Sequence, residues 1–321
     1  MSNSSLHPNH LTRGYLAALA SAGFLSTTAI FIRYLTQTYN LPALVLACWR
    51  DFLVAGCLLV ILGVAKPHLL RISRKQFKYL LVYGLLLAIF NSLWTLSVSL
   101  NGAAVSTVLA YCSAGFTALL GWWFLSEDLG WGKLLAVLLS LAGCVLVSGA
   151  YNANAWSSNV LGILTGIFSG LAYAVYTLLG RKASQDGLNP WTTLVYIFAF
   201  AAIFLFVGNL VLAGRIPGAI TVPGDFLWLG NRVNGWVILF LLAAGPTLAG
   251  FGLYNVSLVD LPSSVANLVV TLEPVFTAAI AYVLLKERFT FIQISGSLLI
   301  LTGVVFLKVY EDRLSKSLSS P

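Results

Sequence analysis

The stretch that decides the fold is 79–126, YLLVYGLLLAIFNSLWTLSVSLNGAAVSTVLAYCSAGFTALLGWWFLS, forty-eight positions without one charged side chain. About 20 apolar residues cross a hydrocarbon core of about 30 Å, so this run holds two crossings. Asn101-Gly102 supplies the turn between them. Around it the chain is equally poor in charge. Lys plus Arg number 18 and Asp plus Glu 10 among 321 residues, 9% charged against 59% hydrophobic. A soluble domain carries about 25% charge. Soluble enzymes, disordered chains and coiled coils are excluded by these figures, and the solvent is a bilayer.

Working outward, residues 14–32 form a first apolar run, and 43–65 a second, interrupted by Arg50 and Asp51. Residues 134–180 again hold two crossings, with the Gly-, Asn- and Ser-rich segment 148–159 as the break. Runs near 191–213, 235–257, 262–285 and 290–309 follow. The expectation is an all-α polytopic membrane protein of ten transmembrane helices. The polar first 13 residues do not read as a signal peptide.

The net charge of +8 does not point to nucleic acid, because Lys66, Arg71, Arg74, Lys75 and Lys78 cluster between two spans. Such clusters hold loops on the cytoplasmic side. With both termini cytoplasmic, twelve basic residues lie inside (Arg13, that cluster, Lys133, Arg181, Lys182, Lys308, Arg313 and Lys316). Five lie outside: Arg33, Arg215, Arg232, Lys286 and Arg288. Cys48, Cys57, Cys112 and Cys144 sit in apolar runs without a CxxC and read as small hydrophobes. His7, His10 and His68 fall in the tail and a loop, so no haem, zinc or His-based catalytic centre is expected within the spans. The expectation is no enzyme and no cofactor.

The chain also repeats itself. A shift of 148 aligns Gly14 with Gly162, Ser21 with Ser169, Arg33 with Arg181 and Pro42 with Pro190. A shift of 160 aligns Ser97 with Ser257, Phe116 with Phe276, Glu127 with Glu287 and Gly143 with Gly303. The difference between the shifts locates an insertion at 214–234, read as a long external loop. Two five-helix repeats, 14–149 and 160–309, follow, with cytoplasmic tails 1–13 and 310–321. Five is odd, so the second repeat enters the membrane inverted. Inverted repeats suit alternating access, in which like halves exchange conformations.

The segment Glu273-Pro274-Val275-Phe276, with Ala278-Ala279-Ile280-Ala281 and Lys286-Glu287-Arg288, resembles the EamA family of the drug/metabolite transporter superfamily. The stretch 294–305, ISGSLLILTGVV, is similar to that family's closing helix. A weaker copy runs from Tyr111-Cys112-Ser113-Ala114-Gly115-Phe116-Thr117 to Ser126-Glu127-Asp128. There Ala-Gly-Phe stands for Pro-Val-Phe, and Asp128 for a basic residue. The resemblance implies a ten-helix transporter of small organic solutes, often an exporter of amino acids or related metabolites across a prokaryotic inner membrane. A broad drug exporter and a metabolite importer stay open within transport. A membrane sensor or enzyme is disfavoured, since the spans hold no catalytic constellation and 321 residues leave no room for an appended soluble domain.

Glu273 lies 11 residues beyond Pro262, about 16 Å along a helix and so near the midplane. A carboxylate there is costly and points to proton coupling or to an ammonium on the substrate, unless it is a structural partner of Arg50. Arg50, about 12 Å into the second span, would bind a substrate carboxylate or neutralise Glu273. Asp51 points about 100° away and is expected to be a poor partner. Thr107 and Tyr111 share one helix face, as do their counterparts Asn267 and Thr271. Asn91 and Trp94 share another face, and Trp94 matches Tyr254; Ser169, Tyr173 and Tyr176 line one side of span six, with Ser21 and Thr28 as the first-half counterparts. These residues line a central cavity or serve only to pack helices. Gly162, Gly166 and Gly170 form a ridge for close helix approach, within the bundle or in a homodimer. Glu127 and Glu287, at motif-helix ends, read as caps or gate residues. Trp122, Trp123 and Trp131 suit an interfacial belt.

Overall fold

A backbone amide in hydrocarbon has no water to bond, so a chain this apolar must satisfy its backbone internally, as helix. The computed structural model describes residues 8–148, 151–152, 160–276, 280 and 290–319, and among these there is no strand. Among the described residues, seven segments are long and apolar enough to cross a membrane, and three shorter apolar helices, Trp131–Leu146, Ser263–Phe276 and Ile294–Leu307, accompany them. Large apolar side chains such as Val64, Phe124 and Phe206 face outward, as they do when the solvent is lipid. The protein is an all-helical, multi-pass membrane protein.

The first crossing extends to Thr38 as two helices, α1 (Pro8–Leu25) and α2 (Thr28–Thr38). Its interruption falls where two hydroxyls bond back to the chain, Ser26 Oγ to the Gly23 carbonyl (2.6 Å) and Thr27 Oγ1 to that of Phe24 (2.9 Å). Helix α3 spans Ala43–Ala65. Helix α4, Arg74–Tyr111, starts on a capping box in which Ser73 and Gln76 satisfy each other's amides. It breaks at Gly102, whose φ of 78° only glycine adopts readily. The expected turn is therefore present, and α5 (Ser113–Leu125) completes the fourth crossing.

Helices α6 (Trp131–Ser148), α7 (Val160–Gln185) and α8 (Pro190–Val211) follow. The next crossing, Val233–Asp260, is composite: α9 (Val233–Leu242), a π-helical stretch Ala243–Ala249 and α10 (Gly250–Asp260). Pro246 inside the π stretch lacks an amide hydrogen, which accounts for the widened turn. Helices α11 (Ser263–Val270) and α12 (Phe291–Ser319) close the chain. Helix α4 packs along α7 and α8, α6 along α12, α1 along α10, and α3 along α8.

The insertion between α8 and α9 is a folded cap rather than a loose loop. The Leu44 amide donates to the Gly218 carbonyl (2.8 Å), Trp49 Nε1 to that of Phe226 (2.7 Å), and Trp228 Nε1 to that of Tyr39 (3.0 Å). Ile220 and Leu229 are buried beneath it. Asp225 Oδ2 accepts from the Thr221 amide and hydroxyl and the Val222 amide, which holds its carboxyl below the usual aspartate range. That stabilisation is complete above about pH 3.9, the unfolded value, and is lost as pH falls through the lower folded value. Amide exchange at Thr221 and Val222 is expected to quicken only below that range, and Asp225→Asn should bring the faster exchange to neutral pH.

The glycine ridge of α7 packs inside the bundle. A β-carbon at Gly170 would stand 2.9 Å from the Leu109 carbonyl and 3.1 Å from that of Ala110, backbone atoms that cannot swing aside. Gly170→Ala is expected to cost about 1–3 kcal/mol, read as a lower Tm in detergent. Gly56→Ala, where nothing lies within 4 Å, should leave Tm unchanged.

Candidate functional site

Two crossings are interrupted at corresponding places. Helix α4 gives way to α5 at Tyr111–Cys112, and α11 ends at Val270, with Thr271–Leu272 forming a turn before helix resumes at 273–276. The shift of 160 superposes Tyr111 on Thr271 and Ser113 on Glu273. Pro274 has no amide to offer the Val270 carbonyl, which explains the second interruption; no proline marks the first. Unwound backbone at membrane depth is tolerated where it is buried in protein or lines a cavity.

A cavity does lie there. It is lined by Leu25, Thr28, Arg50, Phe90, Asn91, Trp94, Ala110, Tyr111, Tyr173, Phe251, Val270 and Glu273. About 520 Å³ of space between atoms lies within it, part of it continuous with the outside. Tyr111 Oη donates to Glu273 Oε2 at 2.6 Å, joining the two interrupted helices. Phe90 stacks on Tyr173 at 5.1 Å between centroids, and Tyr173 on Tyr254 at 5.5 Å.

The same cavity holds a second polar group. Arg50 Nε lies 3.4 Å from Asp51 Oδ1, and Asn91 Nδ2 donates to both Asp51 oxygens at 2.9 and 2.7 Å. The sequence expectation that Asp51 is a poor partner for Arg50 is thereby corrected: at this distance bent side chains overcome the 100° offset. A carboxylate attracts only the NH2 side of an amide, so Asp51 fixes the orientation of Asn91. Among the described residues, Arg50 Nη2, Asn91 Oδ1 and Thr28 Oγ1 have no hydrogen-bond partner. Buried groups left this way are costly unless a ligand or water meets them.

Of the residues singled out from sequence, Arg50, Asn91, Trp94, Tyr111, Tyr173 and Glu273 line this cavity. Tyr254, Asn267, Tyr176, Thr107 and Thr271 do not; all five are buried outside its lining. Asn267 accepts from Ser113 Oγ (3.2 Å) and donates to Thr177 Oγ1 (3.4 Å), which pairs with Tyr254 Oη at 2.7 Å. Tyr176 Oη accepts from Asn255, and the Thr271 hydroxyl donates to the Leu268 carbonyl. Glu127 caps α11 from the end of α5, whereas Glu287 lies outside the described residues. Thr28, named as a first-half counterpart, also lines the cavity, whereas Asp51, Phe90 and Phe251 were missing from the candidates. Asp51 was a visible signal, an acid within a span, set aside on helix geometry alone. No metal-binding group of three His, Cys, Asp or Glu occurs among the described residues.

The profile of the EamA-like transporter family matches residues 12–149 and again 160–309. The chain belongs to the EamA-like transporter family. It is 28% identical to an uncharacterized transporter of Synechocystis sp. over 71% of this chain and 65% of that protein. It is 27% identical to a probable amino-acid metabolite efflux pump of Escherichia coli K12 over 87% of this chain and 89% of that protein. A crystal structure of another protein superposes with a TM-score of 0.72, covering 96% of this chain and 99% of that one at 17% identity. That likeness concerns the fold alone. In this EamA chain, then, Arg50 from α3, Asn91 from α4 and Glu273 beside an interruption line one cavity together with aromatic side chains.

The Arg50–Asp51 pair sets the stability of that arrangement. Arg50→Leu strands a buried carboxylate and is expected to cost about 3–5 kcal/mol, whereas Arg50→Leu with Asp51→Leu should cost clearly less. Thermal unfolding of both variants in detergent decides between them.

Proposed function

We propose that the protein is a secondary transporter that moves small organic solutes by alternating access, exporting amino acids or related metabolites. The observation that carries this reading is the cavity itself, whose lining brings together Arg50, Asn91 and Glu273 with the aromatic side chains of Phe90, Trp94, Tyr111, Tyr173 and Phe251. A guanidinium suits a solute carboxylate, and Glu273 suits an ammonium or a transported proton. The similarity to the E. coli probable amino-acid metabolite efflux pump agrees with that chemistry.

The seven long and three short apolar segments support ten crossings, as repeats 14–149 and 160–309 inverted about the membrane plane. The contacts between loops support the same topology. Arg13, Glu127, Arg181 and the 258–264 turn meet at one end, and 39–49 meets the 212–232 cap at the other. Ten crossings require this grouping. The basic-residue bias makes the first end, with both termini, cytoplasmic, in the inner membrane of a prokaryotic cell. The working unit is a monomer or a homodimer.

The test is uptake into proteoliposomes from a panel of amino acids and metabolites, with and without a pH gradient. Transport of at least one amino acid is expected, with acceleration by the gradient that disappears in Glu273→Gln. Unchanged gradient dependence in that variant removes Glu273 from coupling. A folded protein that moves nothing in the panel overturns the transport reading.

A further inference from the structure

Arg33 and Arg181 occupy the same place in the two halves, yet the structure uses them differently. Arg181 Nη1 reaches from α7 to the carbonyls of Leu258 (2.7 Å) and Val259 (3.0 Å). These belong to the last turn of α10, where carbonyls lack intrahelical donors and the helix dipole favours a cation. Just beyond, Glu127 grips the start of α11. Its Oε1 accepts from the Ser263 amide (2.7 Å) and hydroxyl (2.6 Å), and its Oε2 from those of Ser264 (3.2 and 2.8 Å). A cation thus holds the end of one helix and an anion the beginning of the next, on either side of one short turn.

The corresponding place in the first half is held otherwise. Arg33 is exposed and donates to Gln37 on its own helix at 3.3 Å. The shift of 160 makes Val98 and Ser99 the counterparts of Leu258 and Val259, and puts Ala103 and Ala104 where Ser263 and Ser264 stand. The hydroxyl donors of the second grip are therefore missing from the first half by sequence.

We propose that the α10–α11 turn is a gate, latched shut here by Arg181 and Glu127, and that the latch changes halves during transport. As Arg181 releases Leu258 and Val259, Arg33 leaves Gln37 and takes the carbonyls of Val98 and Ser99, closing the opposite end. Ala103 and Ala104 make that opposite closure the weaker one, so the protein rests with the Glu127 end closed. The proposal rests on the transporter reading above, but its test needs no solute.

The four cysteines are replaced by serine, one cysteine is placed at the cavity-lining Val270, and sealed vesicles of known orientation are treated with an impermeant maleimide from the Glu127 end. Arg181→Ala is expected to speed labelling roughly tenfold, and Arg33→Ala to slow it by a similar factor, as a two-state equilibrium shifts when one charge-assisted latch is lost. Ser263→Ala with Ser264→Ala should also speed labelling while leaving both arginines in place, and covers the case in which an arginine variant fails to fold. Shifts of the same sign in the two arginine variants, or no shift in either or in the serine variant, overturn the latch. Opposite shifts in a protein that transports nothing in the panel would sustain the latch and sink the transport reading.

Discussion

The absence of water from the bilayer core governs where this chain is permitted to stop being an α-helix. Each interruption frees backbone groups that lipid cannot satisfy. Ser26 and Thr27 answer with their own hydroxyls, and the Pro246 stretch with a widened turn and the Thr247 hydroxyl on the Leu242 carbonyl (2.8 Å). The two interruptions beside the cavity are answered by protein from the other half, through the Tyr111–Glu273 bond and the Ser113–Asn267 bond. The site exists because the helices that would fill it cannot run straight through.

The same constraint orders the charges. Arg50 and Asp51 leave water together, and Asn91 supplies the extra donor that makes a buried pair tolerable. Because Asp51 occupies Nε of the guanidinium, a solute carboxylate bound there, as proposed, would meet what is left of the fork, Nη2 among it. Side-on bidentate binding, the form the residue type suggests first, would compete with Asp51.

Much of the fold was legible because lipid makes hydropathy decisive. The 79–126 run and its turn at Gly102 follow from length and one glycine- and asparagine-bearing segment, while most of the expected break at 148–159 lies outside the described residues. The kink at Ser26–Thr27 and the π stretch were not, since each depends on a local contest between hydroxyl or proline and the helix ladder. For the site, the intramembrane charges and Asn91, Trp94 and Tyr111 could be picked out by polarity at depth. Which side of the aromatic wall Tyr173, Tyr176 and Tyr254 fall on could not, because helix rotation is set by packing against neighbours. The dismissal of Asp51 failed for a related reason: a helical wheel counts Cβ directions, while side chains of this length bend.

The Glu127 cap has a meaning for biogenesis. The start of α11 is completed by a carboxylate 136 residues earlier in the chain, within the other of the two family-matched segments. During synthesis the first half therefore enters the membrane with Glu127 lacking these four donors, and α11 emerges with open amides that its own half does not fill. Each of the two family-matched segments carries groups that the other needs, so two insertions make one act of folding.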